Sequence, residues 1–225
     1  MTAGLLIAIE GGDGSGKGTQ CILLKEFLEA SGYTVGLESF PRHGHKSAYY
    51  TKQYLNGVYG PADSVSGDLA GLAYAFDRFA AKDEMLRQLA GPKSVVIADR
   101  YVSSNLAHQG TKFSDTAERH AFYERTMETE YEILGIPRPT INIILIMPTD
   151  LAQANVDKKE ARSYTTKKRD IHEADASHLD RAKANYEELC QLYPDEFTAI
   201  QCVDTSGEMR SIEDIQHEIR DILNL

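Results

Sequence analysis

Five consecutive apolar residues, Leu5 to Ile9, run straight into Glu10-Gly11-Gly12-Asp13-Gly14-Ser15-Gly16-Lys17, and a helical pattern is under way by Thr19. Unbroken apolarity, as opposed to strict alternation, marks a strand buried on both faces. A strand of that kind, followed at once by a glycine-rich turn and a helix, commits the chain to a sheet that is covered on both sides. The spacing Gly11-x-x-x-x-Gly16-Lys17 also fits the core of a phosphate-binding loop. In such a loop backbone N–H groups wrap phosphate oxygens and the lysine reaches the terminal phosphates. The opening turn of the helix adds amide donors and a favourable dipole. Gly11, Gly12, Asp13, Gly14, Ser15, Gly16, Lys17, Gly18 and Thr19 are therefore the expected nucleotide-phosphate contacts. Gly18 stands where these loops usually place a Ser or Thr magnesium ligand, and the hydroxyl follows one residue later at Thr19. Magnesium would then be held mainly by phosphates and water.

The rest of the chain repeats the alternation. Apolar, β-branched-rich runs recur at Val95 to Ala98, Ile141 to Met147 and Thr198 to Val203, with a weaker one at Thr34 to Ser39. Between them lie helical patterns at Thr19 to Ala30, Asp68 to Leu89, Ser114 to Leu134, Ser177 to Leu192 and Ile212 to Leu223. Strand alternating with helix predicts a parallel sheet with helices on both faces, in which ligands sit beyond the carboxyl ends of the strands. At 225 residues one domain suffices. The net charge of -10 excludes a general nucleic-acid or membrane-surface binder, so a phosphate site must be a local basic pocket. Three scattered cysteines, Cys21, Cys190 and Cys202, suggest neither a disulfide framework nor a zinc site, which fits a reducing cytosol. The Leu5 to Ile9 run lacks a basic leader and is too short for a signal peptide or a membrane span.

The segments after the strands carry the chemistry. They read Glu10 to Lys17, then Phe40-Pro41-Arg42-His43-Gly44, then Asp99-Arg100-Tyr101. Phosphoryl transfer needs in-line positioning and cations against the charge on the moving group, so a second phosphate site should face the loop. Arg42 and Arg100 are placed for it, and a guanidinium grips phosphate bidentately. Asp99 ends a strand and is a candidate for a magnesium-bound water, for orienting Arg100, or for capping a helix. The segment at about 157–175 holds Lys158, Lys159, Arg162, Lys167, Lys168 and Arg169 among polar residues. It reads either as a lid or as a solvated charged helix.

Taken together these residues resemble the thymidylate kinase family over nearly the whole chain. The similarity lies in the Glu10 to Lys17 loop with its internal acid, in Phe40-Pro41-Arg42, in Tyr74-Ala75-Phe76-Asp77-Arg78, and in Asp99-Arg100-Tyr101 followed by Ser104-Asn105. Asp170 to Glu173 matches more loosely. The resemblance implies a three-layer P-loop NTPase-type α/β fold, a five-stranded parallel sheet with a short lid, and transfer of the ATP γ-phosphate to dTMP with Mg2+. It implies that Lys17, Asp13, Arg100 and the lid arginines Arg162 and Arg169 are catalytic. The lid must supply the transition-state cation, because Gly14 and not a basic residue follows Asp13 in the loop.

By the same likeness the acceptor site comprises Asp13, Phe40, Arg42, Tyr74, Arg78, Arg100, Asn105 and His108. Asp13 would sit near the acceptor phosphate and the 3′-hydroxyl, Tyr74 would stack on thymine, Arg78 would reach its O4, and Asn105 would contact the pyrimidine edge. The chain departs from the family at Gly18-Thr19-Gln20, which looks more like the adenylate kinase loop, and at His108 and His172, which replace frequent tyrosines. His108 bears on the choice between deoxyribose and ribose. The metal ligand is left open between Asp13 and Asp99. The family is usually homodimeric, and a cytoplasmic enzyme is expected. The alternatives are another nucleoside monophosphate kinase, a deoxynucleoside kinase, or a regulatory P-loop ATPase that needs no acceptor.

Overall fold

In the computed structural model, which describes residues 4–157 and 176–224, the five apolar runs line up side by side as parallel strands. These are β1 (Leu5–Gly11), β2 (Thr34–Ser39), β3 (Ser94–Asp99), β4 (Ile141–Ile146) and β5 (Phe197–Gln201), in the spatial order β2-β3-β1-β4-β5. The three central strands are the ones with continuous apolar runs, because only they lack an edge. β3 pairs with β1 from Leu5 opposite Val95 to Ile9 opposite Asp99, and β4 pairs on the other side from Ile7 opposite Ile141 to Gly11 opposite Leu145. β2, at one edge, has no buried residue, which is why its run reads more weakly in the sequence.

Alternate residues of each central strand enter opposite cores, as the pleat requires. Leu6, Ala8, Val96, Ala98, Ile144 and Ile146 pack on one face, and Ile7, Ile9, Val95, Ile97, Ile143 and Leu145 on the other. The first face is covered by α3 (Gly67–Gln88), α4 (Val102–Gly110), α5 (Thr116–Met127) and α7 (Ala176–Leu192), through side chains such as Met85, Leu106, Phe122 and Leu189. The second is covered by α1 (Lys17–Ala30) and α8 (Ile212–Ile222), through Cys21, Leu24, Leu28, Ile215 and Ile219. The expected layered α/β architecture with a five-stranded parallel sheet is therefore the one observed. Side-chain caps set three helix starts: Ser66 accepts from Leu69 N–H, Asp115 from Glu118 N–H and Ser211 from Asp214 N–H.

Three details differ from the sequence reading. The pattern expected as one helix from Ser114 to Leu134 is α5 followed by a π-helical turn, Glu128–Ile133. Two helices were not anticipated: α2 (Tyr49–Leu55), which is short, and α4. α4 is buried at seven positions, Val102, Ser103, Asn105, Leu106, Ala107, Gln109 and Gly110, so no polar face marks its period. The short α6 (Thr149–Asp157) leads toward the expected lid. Apart from Asp157 that lid, with Arg162, Arg169, His172 and the Asp170 to Glu173 stretch, lies outside the described residues. Among the described residues no helix is long and apolar enough to cross a membrane.

Candidate active site

The glycine loop joins the carboxyl end of β1 to the first turn of α1, and two of its glycines are sterically obligatory. A Cβ on Gly14 would lie 2.0 Å from the Ala152 carbonyl oxygen, and one on Gly11 would lie 2.4 Å from that of Leu145. Both have positive φ, +85° and +132°, a region that glycine adopts freely. The loop closes through Ser15 N–H, which donates to the Gly12 carbonyl at 3.3 Å. Lys17 Nζ donates to the same carbonyl at 2.8 Å. Burial and the positive charge of Arg100 push the lysine pKa down to about 8, with Asp13, Asp99 and Glu10 opposing them. A dry cation held beside phosphate-sized space is a strong anion trap.

Arg100 begins where β3 ends and has φ +68°, a left-handed conformation that costs a side-chain-bearing residue about 1 kcal/mol or more. Its N–H donates to the Ile9 carbonyl at 3.0 Å, tying it to β1. The bend turns the guanidinium back over the loop. It donates to Asp13 Oδ1 at 2.8 Å, to the Gly11 carbonyl at 3.0 Å and to Ser104 Oγ at 3.2 Å. Burial lowers the Arg100 pKa, but the charges of Asp13, Tyr186, Asp99 and Glu10 outweigh that and hold it well above the ordinary value.

Beneath this pair lies Glu10, fully buried. It accepts from Tyr101 N–H and Ser104 Oγ at 2.6 Å each, from Ser103 Oγ at 2.8 Å and from Tyr186 Oη at 3.2 Å. A carboxylate at the start of α4 complements the helix dipole and fixes the helix that follows Arg100. No role for Glu10, Tyr186 or Ser103 was legible in the sequence.

A cavity of about 300 Å³ opens beside the loop. Asp13, Gly14, Gly16, Lys17 and Gly18 line it, as do Asp99, Arg100, Phe40, Tyr74, Arg78, Asn105 and His108. Most of the expected site residues, drawn from four separate segments, thus line one cavity. Tyr74 meets Tyr54 edge-on at 6.3 Å. His108 stacks on His178 at 5.5 Å, and its Nε2 lies 3.5 Å from Arg100 Nη1.

Arg42 is disposed differently: at this point the cavity wall is Phe40, Pro41 and His43. Its backbone N–H and its Nε donate to the Asp77 carboxylate at 2.6 and 3.1 Å, and Nη2 donates to Ser47 Oγ at 2.9 Å. Thr19 is exposed and Ser15 buried, the latter with an Oγ that has no partner among the described residues.

For a divalent cation, Asp99 is the carboxylate nearest the helix start: its Oδ2 lies 3.4 Å from where a Cβ on Gly18 would be. Among the described residues no group of three or more His, Cys, Asp or Glu side chains forms a metal cage. One hard carboxylate beside a phosphate loop suits Mg2+, which takes one or two carboxylates together with substrate phosphates.

A parallel sheet, a glycine loop with a buried lysine and an arginine folded back over it define a P-loop nucleotide phosphotransferase. Within that class the chain belongs to the thymidylate kinase family, whose family model matches residues 9–219. It is 34% identical over 193 residues to the thymidylate kinase of Mycobacterium tuberculosis strain H37Rv, covering 82% of this chain and 85% of that one. It is 29% identical over 212 residues to the thymidylate kinase of Caulobacter vibrioides, covering 94% and 93%. In fold it is similar to the thymidylate kinase of Candida albicans, with a TM-score of 0.68 at 19% identity, covering 100% of this chain and 93% of that one. The activity is transfer of the ATP γ-phosphate to dTMP, giving dTDP and ADP.

Proposed function

We propose that dTMP occupies the cavity with its base among Tyr74, Arg78 and Asn105 and its phosphate beside Arg100, while ATP lays its phosphates along Gly11 to Thr19. The observation that carries this reading is the Asp13–Arg100 ion pair, which joins the nucleotide loop to the acceptor cavity at 2.8 Å. The nucleophile is an oxygen of the dTMP phosphate. Its second pKa is about 6, so it is already ionised near neutral pH and needs no base. It bonds to the γ-phosphorus as the bond from that phosphorus to the β-phosphate oxygen breaks, and ADP leaves with the electron pair.

The protein's work is positioning and charge stabilisation. Lys17 supplies a desolvated cation to the ATP phosphates. Arg100 binds the acceptor phosphate, and Asp13 orients Arg100 and lies near the 3′-hydroxyl. Arg42, aligned by Asp77, adds positive charge behind Phe40, and Phe40 closes the sugar side together with His108. His108, next to Arg100, bears on deoxyribose selection. Arg162 and Arg169 are the proposed transition-state cations; an arginine in that role contributes roughly 10³ or more to turnover in related phosphoryl transfers.

Mg2+ would be held by Asp99, with Asp13 the second candidate, and would neutralise charge on the ATP phosphates. The chain works as one kinase domain with a lid at about 157–175, in the cytoplasm, as a homodimer. The exposed α3 residues Leu69, Leu72, Phe76 and Phe79 support that dimer, since they recur at helical spacing on one face. A crystal structure with dTMP and a non-hydrolysable ATP analogue tests the reading. It requires the dTMP phosphate within hydrogen-bond reach of Arg100 and the base against Tyr74. A dTMP phosphate bound away from Arg100 overturns it.

A further inference from the structure

Asn105 commits both of its amide protons to partners inside the protein. Its Nδ2 lies 2.9 Å from the Gly71 carbonyl and 2.9 Å from Glu130 Oε1. Glu130 is fully buried and accepts from Arg78 on both oxygens, from Nε and from Nη2, each at 2.6 Å. Turning the Asn105 amide over would press its oxygen against two acceptors, so its orientation is forced by the neighbours. The carbonyl Oδ1 is left, buried and with no partner among the described residues, on a side chain that lines the acceptor cavity. Arg78, which lines the same cavity, has only donors to offer: Glu130 takes one hydrogen from Nε and one from Nη2, and the Tyr101 carbonyl takes one from Nη1 at 3.3 Å, so each terminal nitrogen keeps a second hydrogen. A side chain that can only donate and one whose remaining group can only accept therefore line the same cavity.

That pair matches one kind of pyrimidine. A 4-oxo ring with a protonated N3 presents an acceptor beside a donor. A 4-amino ring with a bare N3 presents the reverse, meeting donor with donor and acceptor with acceptor. We propose that Glu130 is the positioning residue that fixes the polarity of the base-reading edge and so makes the enzyme select 4-oxo over 4-amino pyrimidine monophosphates. The inference rests on the base lying between Arg78 and Asn105, as proposed above. Glu130 reaches this point from the π-helical turn Glu128–Ile133, an irregularity that recurs at functional positions in helices.

Glu130→Gln tests it. A glutamine can turn its own amide toward a flipped Asn105 Oδ1, which leaves the Gly71 carbonyl as the one acceptor opposing the flip and weakens the lock. The readouts are kcat/KM for dTMP, dUMP and dCMP with ATP. The pair dTMP and dUMP differs by a methyl group and reports pocket shape; the pair dUMP and dCMP differs in edge polarity alone. The dUMP/dCMP ratio should fall by about tenfold or more, since sites built on hydrogen bonds discriminate strongly, while dTMP/dUMP stays within about twofold. An unchanged dUMP/dCMP ratio overturns the proposal, and so does a parallel fall of both ratios, which marks a merely structural role. Asn105→Ala separates this from the underlying reading. If it shifts dUMP/dCMP and Glu130→Gln does not, Glu130 alone is misassigned; if neither does, the base site is misplaced. In the native enzyme both Asn105 side-chain amide protons should exchange slowly with solvent. Rapid exchange of either contradicts the lock whether or not the variant folds.

Discussion

Arg100 Nη2 donates to Asp13 Oδ1 at 2.8 Å, so the residue after β3 and the acid inside the phosphate loop form one unit. The acid holds the guanidinium in place before any substrate arrives, and a preorganised cation needs no reorganisation as charge develops on the moving phosphoryl group. The left-handed backbone at Arg100 is the local cost of that arrangement.

Arg100→Lys keeps the charge and loses the planar fork that contacts Asp13, Gly11 and Ser104 together. kcat/KM for dTMP should fall by about 10² or more, with KM for ATP changed by less than about threefold, in a steady-state assay that varies each substrate in turn.

Lys17→Met should abolish transfer and yet raise the melting temperature of the ligand-free enzyme. The lysine pKa is about 8 in the fold against 10.5 unfolded. Between those values the unfolded chain binds more protons, so stability rises with pH across that window; below it the buried charge destabilises the unliganded protein. A gain of about 1 kcal/mol corresponds to about 2–4 °C at this chain length, measurable by calorimetry at pH 7.

The same lysine sets a pH dependence. In the free enzyme kcat/KM for ATP should decline as pH rises through about 8, where Lys17 loses its proton. Bound phosphate raises the lysine pKa, so kcat should hold to higher pH. A pH profile of the two parameters checks the separation.

Gly14→Ala and Gly12→Ala should separate folding from binding. The first drives a methyl to 2.0 Å from the Ala152 carbonyl at positive φ, and a destabilisation of about 3 kcal/mol or more is expected in urea unfolding. The second meets nothing within 4 Å in the ligand-free loop. It should leave stability within about 0.5 kcal/mol and raise KM for ATP by crowding the phosphates.

Much of this architecture is legible from residue order alone. Leu5 to Ile9, Val95 to Ala98 and Ile141 to Met147 read as strands because burial on both faces makes their apolar runs unbroken. The loop residues Gly11 to Lys17 read as a phosphate site because glycine, lysine and the helix start act locally. The buried, paired roles of Glu10, Asp77 and Glu130 are not legible for the opposite reason. Their partners Tyr101, Arg42 and Arg78 lie 91, 35 and 52 residues away, so nothing nearby in the chain marks an acid as buried and paired. Arg42 reads as a lone cation in the sequence, and only the fold of α3 brings Asp77 against it.

The most direct measurement is kcat/KM for each nucleoside monophosphate acceptor with ATP, in a coupled assay that follows ADP. dTMP should exceed AMP, CMP and UMP by at least about tenfold, with no comparable ADP release when acceptor is omitted. A dTMP value no higher than that for AMP, CMP or UMP would contradict thymidine selection by Tyr74, Arg78 and Asn105.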